Sequence, residues 1–283
     1  MQSFKHELNL VKAGVFTVQE THFKKKGILK VKGFEIFEAI RDKQKGGTAI
    51  GVHKSLNPML IKEYRDGFEM LVVEIEVSNH KIRIISGYEP QENWSEQDRL
   101  PFFLALEDEK NKAEMQNKDI FIQADANSKL GPEIIRGDPH SQTPNGKLLS
   151  NIIDRHELSV INGIQNKCEG LITRRRITKD GIEESIIDFV VTNDNLEKDV
   201  ESLLVDESRK HVLTSITKTK KGIRRKESDH HAMITKLKFL WSKKNMKNRA
   251  ESYNFRNREC QLKFKEQTSI TKELSSILHE EVP

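Results

Sequence analysis

The sequence predicts an α+β sandwich. Three observations carry this: short apolar runs alternate with polar residues, two of them form a tight hairpin, and long helical periodicity is confined to two stretches. Strands joined as hairpins make antiparallel sheets rather than the parallel sheet of a doubly wound fold. Residues 3–12, with Phe4, Leu8, Leu10 and Val11 apolar, read as a short helix. Residues 15–18 form a brief β-rich run ending in Gln19-Glu20, and Gly46-Gly47 opens a second strand over 48–52. In residues 70–77, Leu71, Val73, Ile75 and Val77 point one way, Glu74 and Glu76 the other. Residues 81–88 alternate again, with Ile82, Ile84 and Ser86 on one face, and Asn79-His80 between the runs reads as the turn.

Residues 95–116 follow as a helix, with Ser95 as N-cap and Leu100, Phe103, Leu104 and Leu106 recurring through it. A buried strand over 119–123 leads into Ala124-Asp125-Ala126-Asn127. Gly131, Pro132, Gly137, Pro139 and Pro144 mark 129–144 as a long loop, a length expected of a functional or mobile segment. Asn145-Gly146 starts the second helix, with Leu148, Leu149, Ile152 and Ile153 on one side. Strands are then expected over 158–161, 171–177 and 182–192, the last with Asp188 inside an apolar run, over 202–205, and over 232–239. From Trp241 charge dominates and strand signals end. The expected division is a domain over 1–240 and a charged linker or helical extension over 241–283.

Charge is modest overall, at +5 over 283 residues, but it is clustered. Between Arg209 and Lys226 there are eight Lys/Arg and no acid, including Lys220, Lys221, Arg224, Arg225 and Lys226; Arg174, Arg175 and Arg176 form a second cluster. Such clusters suit polyanions, because each phosphate contact releases condensed counterions; a solvated loop is the other reading of the same residues. The two cysteines, Cys168 and Cys260, form no disulfide framework or zinc pattern, which fits a reducing compartment. No apolar run approaches the roughly 18 residues of a membrane span, and Met1–His6 lacks a secretory apolar core. The expected location is therefore intracellular, nuclear or cytoplasmic.

Four acids, Glu20, Asp125, Asp188 and Asp229, sit at strand ends or inside apolar runs, where a carboxylate is costly unless paired or metal-bound. Each alone has an ordinary reading as a cap, a turn former or a surface acid. Their order, with Gln19, Asn127 and His230 beside them, is what points to chemistry. His22 and His231 flank these residues and read more simply as surface histidines.

Gln19-Glu20-Thr21, Gly87-Tyr88-Glu89-Pro90, Ala124-Asp125-Ala126-Asn127, Ile187-Asp188-Phe189-Val190 and Ser228-Asp229-His230 resemble the ordered motifs of the endonuclease/exonuclease/phosphatase superfamily, over about residues 15–239. The run from Ala124 through Ser128-Lys129-Leu130-Gly131 to Thr143-Pro144-Asn145-Gly146-Lys147-Leu148-Leu149 is narrower in its likeness. It resembles the endonuclease domain of non-LTR retrotransposon polyproteins, and Tyr253-Asn254-Phe255-Arg256 resembles their linker. The resemblance implies a four-layer α/β-β/α sandwich like deoxyribonuclease I, monomeric as a domain. It implies a DNA-nicking phosphodiesterase using Mg²⁺ or Mn²⁺, with DNA, and RNA of a parent element, as partners. It also implies roles. Glu20 is the main metal carboxylate and Asp229 a second; Asp125 orients or deprotonates water; Asn127 positions it. His230 serves the phosphate or acts as acid/base, Asp188 holds its imidazole, and Tyr88 bonds the phosphate. The pattern departs from the family mildly at Ala124, which stands where a Gly is common, and at His231-Ala232, which stand where an apolar residue or Pro is common, and more seriously at the start. An early strand carrying an Asn is expected before Gln19-Glu20, and here residues 1–14 read as helix, with Asn9 in it. An inactive, nucleic-acid-binding remnant is therefore one alternative, and a lipid or inositol phosphodiesterase of the same fold another.

Overall fold

The computed structural model describes residue 8 and residues 11–40, 46–78, 80–212, 214–219 and 222–239. The expected helix over 3–12 falls mostly outside these residues, as do Asn79, Lys220, Lys221 and the extension over 241–283.

In chain order the strands and helices are β1 (Val15–Gln19), β2 (Phe34–Ala39), β3 (Thr48–His53), β4 (Met59–Tyr64), β5 (Glu69–Val77), β6 (His80–Tyr88), α1 (Glu96–Met115), β7 (Asp119–Asp125), α2 (Pro144–Arg155), β8 (Leu158–Val160), β9 (Cys168–Glu169), β10 (Arg174–Thr178), β11 (Gly181–Ser185), β12 (Asp188–Asn193), α3 (Asp194–Glu197), β13 (Val200–Val205), β14 (Thr214–Thr219), β15 (Gly222–Glu227) and β16 (Met233–Leu237). The central sheet has the order β4-β5-β6-β7-β12-β8 and is antiparallel except between β6 and β7. That parallel pair needs a crossover, and α1 supplies it.

Strand periodicity divides the core into layers. On one face, Met70, Val72, Ile85, Ile120 and Ile122 pack with Phe102, Phe103 and Leu106 of α1 and Leu149, Ile152 and Ile153 of α2. On the other face, Leu71, Val73, Ile75, Ile82 and Ile84 meet Ala39, Ile50 and Val52. These come from the second layer, which comprises a sheet of order β1-β3-β2 and another of order β16-β13-β9. Leu203 and Val200 of β13 close over Val190 and Ile161. The fold is the α+β sandwich the alternation predicts.

Helix α1 begins at the expected cap: the Ser95 hydroxyl accepts from the Asp98 amide at 3.3 Å. Beneath it lies a buried ionic network, in which Arg83 reaches Glu74 at 2.7 Å and Glu109 at 3.1 Å while Lys118 takes the other Glu74 oxygen at 2.6 Å. Glu74 therefore faces the helix layer, not solvent. Burial works against its charge, but the bonds from Lys118 and Arg83 outweigh it and hold its pKa below the usual range.

Three local expectations change. The run over 182–192 is not one strand: β11 ends at Ser185, Ile186 and Ile187 break the ladder, and Asp188 opens β12 rather than lying within a strand. The cause is Thr173, whose hydroxyl accepts the amides of Ile187 at 2.9 Å and Asp188 at 3.1 Å. The strand expected over 171–177 starts later, at Arg174, because residues 171 and 172 give their amides to the Glu207 carboxylate. The basic segment is not an irregular loop, since its backbone forms the hairpin β14–β15. Strands β2, β4 and β9 carry no clean alternation and were not expected.

Candidate active site

Register across the central sheet assembles the first part of the site. Tyr88 of β6 stands opposite Asp125 of β7, and Asp125 stands opposite Asp188 of β12. The three residues form one row at the same end of adjacent strands. His230, from the loop before β16, reaches this row: its Nδ1 lies 3.0 Å from Asp188 Oδ2, and its Nε2 lies 3.9 Å from Asp125 Oδ2. Glu20, just past β1, accepts a hydrogen bond from the Tyr88 hydroxyl at 2.6 Å.

Backbone strain sits at two of these positions. Glu20 and Asn127 have φ of 50° and 43°, in the left-handed region that a glutamate rarely adopts. At Asn127 the conformation is held locally: its amide donates to Asp125 Oδ1 at 3.2 Å, and its Nδ2 donates to the Glu89 carbonyl at 2.9 Å. The acid, the amide and the Glu89–Pro90 turn are thus one unit.

The electrostatics follow from crowding. Burial first, and then the Asp188 carboxylate, push the Asp125 pKa well above the usual carboxylate range, against the pull of His230 and the Asn127 amide. Burial opposes charge on His230, but the charge and hydrogen bond of Asp188, with Asp125 and Asp229 beyond, win and push its pKa up to about 10. His230 is an imidazolium at neutral pH, with Nδ1 committed to Asp188 and Nε2 turned toward Asp125. Burial, and then Glu20, raise the pKa of the Tyr88 hydroxyl, so it stays a donor.

The expected residues are not all brought together. Asp125, Asp188 and His230 present ligand atoms within 4.8 Å of one another. Asp229 lies outside that group, and its carboxylate meets Arg174 Nε at 3.1 Å. Burial raises its pKa less than its own amide, Arg174 and His230 lower it, so it stays ionised. Arg174 thus serves an ion pair beside the site. Arg175 pairs with Glu184 at 2.5 Å, and Arg176 is exposed on the β10–β11 ribbon with Ile177 and Ile182 near its tip. Arg224, Arg225 and Lys226 lie on β15. His231 is not the surface residue expected: it is buried, and its Nδ1 bonds the Ile172 carbonyl at 2.6 Å.

Several residues that shape the site were not expected from sequence. Thr173 and Asn162 clamp the Asp188 strand; the Asn162 side chain takes the Val190 amide at 2.9 Å and gives to the Asp188 carbonyl at 3.2 Å. Asn145 bonds the Pro90 carbonyl at 3.0 Å and accepts from Arg99, tying α1 and α2 to the turn beside Asn127. Glu89 is fully buried, with no hydrogen-bond partner on either carboxylate oxygen. No periodicity marks such residues; the only signal for Glu89 and Asn145 was their place within the motifs.

The fold is that of the endonuclease/exonuclease/phosphatase proteins. The structure is similar to the endonuclease domain of TRAS1, a telomere-specific non-LTR retrotransposon, at 18% identity, with a TM-score of 0.58 over 83% of this chain and 91% of that one. It is also similar to the AP endonuclease LMAP from Leishmania major, at 12% identity, with a TM-score of 0.60 over 82% of this chain and 80% of that one. A third likeness is the catalytic domain of Xenopus laevis APE2, at 15% identity and a TM-score of 0.58 over 84% of this chain and 87% of that one. No family profile and no curated protein matches the sequence.

Proposed function

We propose that the protein is a divalent-metal-dependent phosphodiesterase that nicks DNA, an endonuclease domain of the non-LTR retrotransposon type. The observation that carries this reading is the Tyr88–Asp125–Asp188 row with His230 hydrogen-bonded to Asp188. It supplies a base, an acid and an orienting carboxylate at one sheet end. The neighbours described as endonucleases support the reading, and the ordered motifs narrow it.

The donor set fits a hard cation. Oxygen ligands dominate, two buried carboxylates lie side by side, and a divalent ion held there would offset the burial and the Asp188 charge that raise the Asp125 pKa. Glu20, oriented by Tyr88, would be the main ligand; Asp229 could contribute only once its pair with Arg174 opens. When bound, the ion neutralises phosphate charge. The chain's own groups do the rest. Asp125, which would be ionised once the Asp188 charge is offset, takes the proton of the attacking water, and Asn127 positions it. His230 donates from Nε2 to the phosphate or leaving oxygen, and Asp188 keeps Nδ1 engaged so that this proton faces the substrate.

Supercoiled plasmid with Mg²⁺ or Mn²⁺ should give nicked circles. His230→Ala or Asp125→Ala should slow nicking by roughly 10²–10⁴-fold, the usual loss of an acid/base group; equal rates in these variants would reject the assignment. A second reading, nucleic-acid binding with weak cleavage, is favoured by the Arg174–Asp229 pair that occupies a motif carboxylate. Salt-dependent binding to duplex DNA without nicking would select it.

A further inference from the structure

Glu20 and the row it serves stand on different sheets. Glu20 follows β1 in the second layer, while Tyr88, Asp125 and Asp188 belong to the central sheet. The apolar packing between these layers is non-directional, so by itself it does not fix how one slides over the other. Glu20 is also strained, with φ of 50°. A residue in that region persists where its surroundings over-determine the backbone. On its C-terminal side the Thr21 amide donates to the Gly47 carbonyl at 3.1 Å, and the His22 amide donates to the Gly46 carbonyl at 2.9 Å. On its N-terminal side the restraint comes from side chains.

Gln19 stands opposite Thr48 in the β1–β3 ladder, and Ser86 stands beside Gln123 in the β6–β7 ladder, two residues before Tyr88 and Asp125. Gln19 Nε2 crosses between the layers to Ser86 Oγ at 3.0 Å and to the Gln123 carbonyl at 3.4 Å, and it lies 3.3 Å from Thr17 Oγ1 on its own strand. Ser86 Oγ lies 2.8 Å from Thr48 Oγ1, and the Thr48 hydroxyl donates to the Val18 carbonyl at 3.3 Å. Both ends fix the direction of this chain. A carbonyl only accepts, so the Gln19 NH₂ faces Gln123, and the Thr48 proton is spent on Val18. Ser86 accepts from Gln19 and so gives its own proton to Thr48. The chain runs Gln19, Ser86, Thr48, Val18, and ends beside the residue where it began. Ser86 and Thr48 are fully buried. Alanine at 86 and valine at 48 would suit an apolar interface with no polar group to desolvate; the hydroxyls add direction.

We propose that Ser86 and Thr48 are positioning residues for Glu20: through Gln19 they lock the end of β1 onto the central sheet, so that the Glu20 carboxylate stays in register with Tyr88. The consequence for metal binding rests on the reading of Glu20 as the main ligand. The consequence for the Tyr88 bond does not.

The Tyr88 hydroxyl donates to Glu20 at 2.6 Å, so its proton reports on the clamp without any metal. In the metal-free full chain NMR should find this proton protected from exchange, with Tyr88→Phe assigning it. Ser86→Ala and Thr48→Val should each speed its exchange by roughly tenfold or more, and Thr48→Ser should restore the parent rate. Calorimetry with Mn²⁺ alone reads the second consequence. Ser86→Ala should weaken binding by about fivefold, the loss of one hydrogen bond, and should add nothing in a Glu20→Gln background, because the clamp acts through Glu20. If Thr48→Val does not fold, Gln19→Met asks the same question from the half-buried end of the chain, keeping length and removing the donor. An unchanged Tyr88 proton in these variants would overturn the proposal. So would equal weakening of Mn²⁺ binding by Ser86→Ala with and without Glu20→Gln. A parent chain that binds no Mn²⁺, while its Tyr88 proton still responds to the variants, would reject the metal-dependent reading and support the clamp.

Discussion

At the scale of single residues, the site depends on which charges are allowed to exist. His230 is charged because Asp188 faces its Nδ1 at 3.0 Å and Asp125 lies beyond. Removing the Asp188 charge leaves burial as the main influence, so Asp188→Asn should return the His230 pKa from about 10 to or below the free value near 6.5, a titration that NMR of the ring protons reads directly. The sign for stability follows. A raised histidine pKa contributes stability that is full below about pH 6.5 and lost as pH rises through about 10, so Asp188→Asn should flatten that part of the stability curve. Glu89 runs by the same rule. Its carboxyl pKa is pushed well above the usual range by burial and then by Asp125 and Glu92, and Arg99 offsets this only in part. Stability is then full below the free carboxylate range near 4.5 and lost as pH rises through the raised value. Glu89→Gln should remove that loss, making the variant more stable than the parent at pH 8 by urea unfolding; a Gln variant that is less stable there would contradict a buried, unpaired acid. The sequence marked Asp188 and His230 as a pair, but it could not mark the isolation of Glu89, because isolation is a property of what surrounds a side chain.

At the scale of elements, two joints hold the candidate site in place. Thr173 receives two successive amides and so fixes where β12 begins, which sets Asp188 opposite Asp125. Thr173→Val keeps the shape and removes the acceptor, leaving two buried amides unpaired; a loss of about 1–3 kcal/mol per orphaned group is expected, read by thermal melting, while Thr173→Ser should restore it. The other joint is the N-terminus of α2. A Cβ on Gly146 would lie 1.9 Å from the Lys129 carbonyl oxygen, a backbone atom that cannot move cheaply. Gly146→Ala should therefore destabilise by about 1–3 kcal/mol, the usual cost of overpacking, and loosen Asn145 from Pro90. Helix α1 was legible from its cap, but of the apolar residues recurring through it Leu100 and Leu104 are exposed while Phe102 is buried; α2 was legible from Asn145-Gly146 and its apolar side. The break between β11 and β12 was not legible: Ile186 and Ile187 have the composition of a strand, and only a threonine more than ten residues upstream ends it.

At the scale of the whole molecule, the excess charge of +5 is carried in part by Arg174, Arg175 and Arg176 and by the segment forming β14–β15. Duplex binding should weaken with salt along a log–log line, and Arg176→Ala, an exposed cation, should reduce the slope by about 1 with little change in the nicking rate at saturation. A slope unchanged in Arg176→Ala would take that residue out of the interface. By itself the sequence determined the α+β class, the apolar faces of β5, β6 and α2, and the order of the candidate site residues. These are local properties: alternation, caps, and the few residue types able to do acid–base work. Only the tertiary structure decided that Tyr88, Asp125 and Asp188 stand in one row and that Arg174 occupies Asp229. Each depends on register or packing between segments tens of residues or more apart, and no periodicity within either segment encodes the other's position.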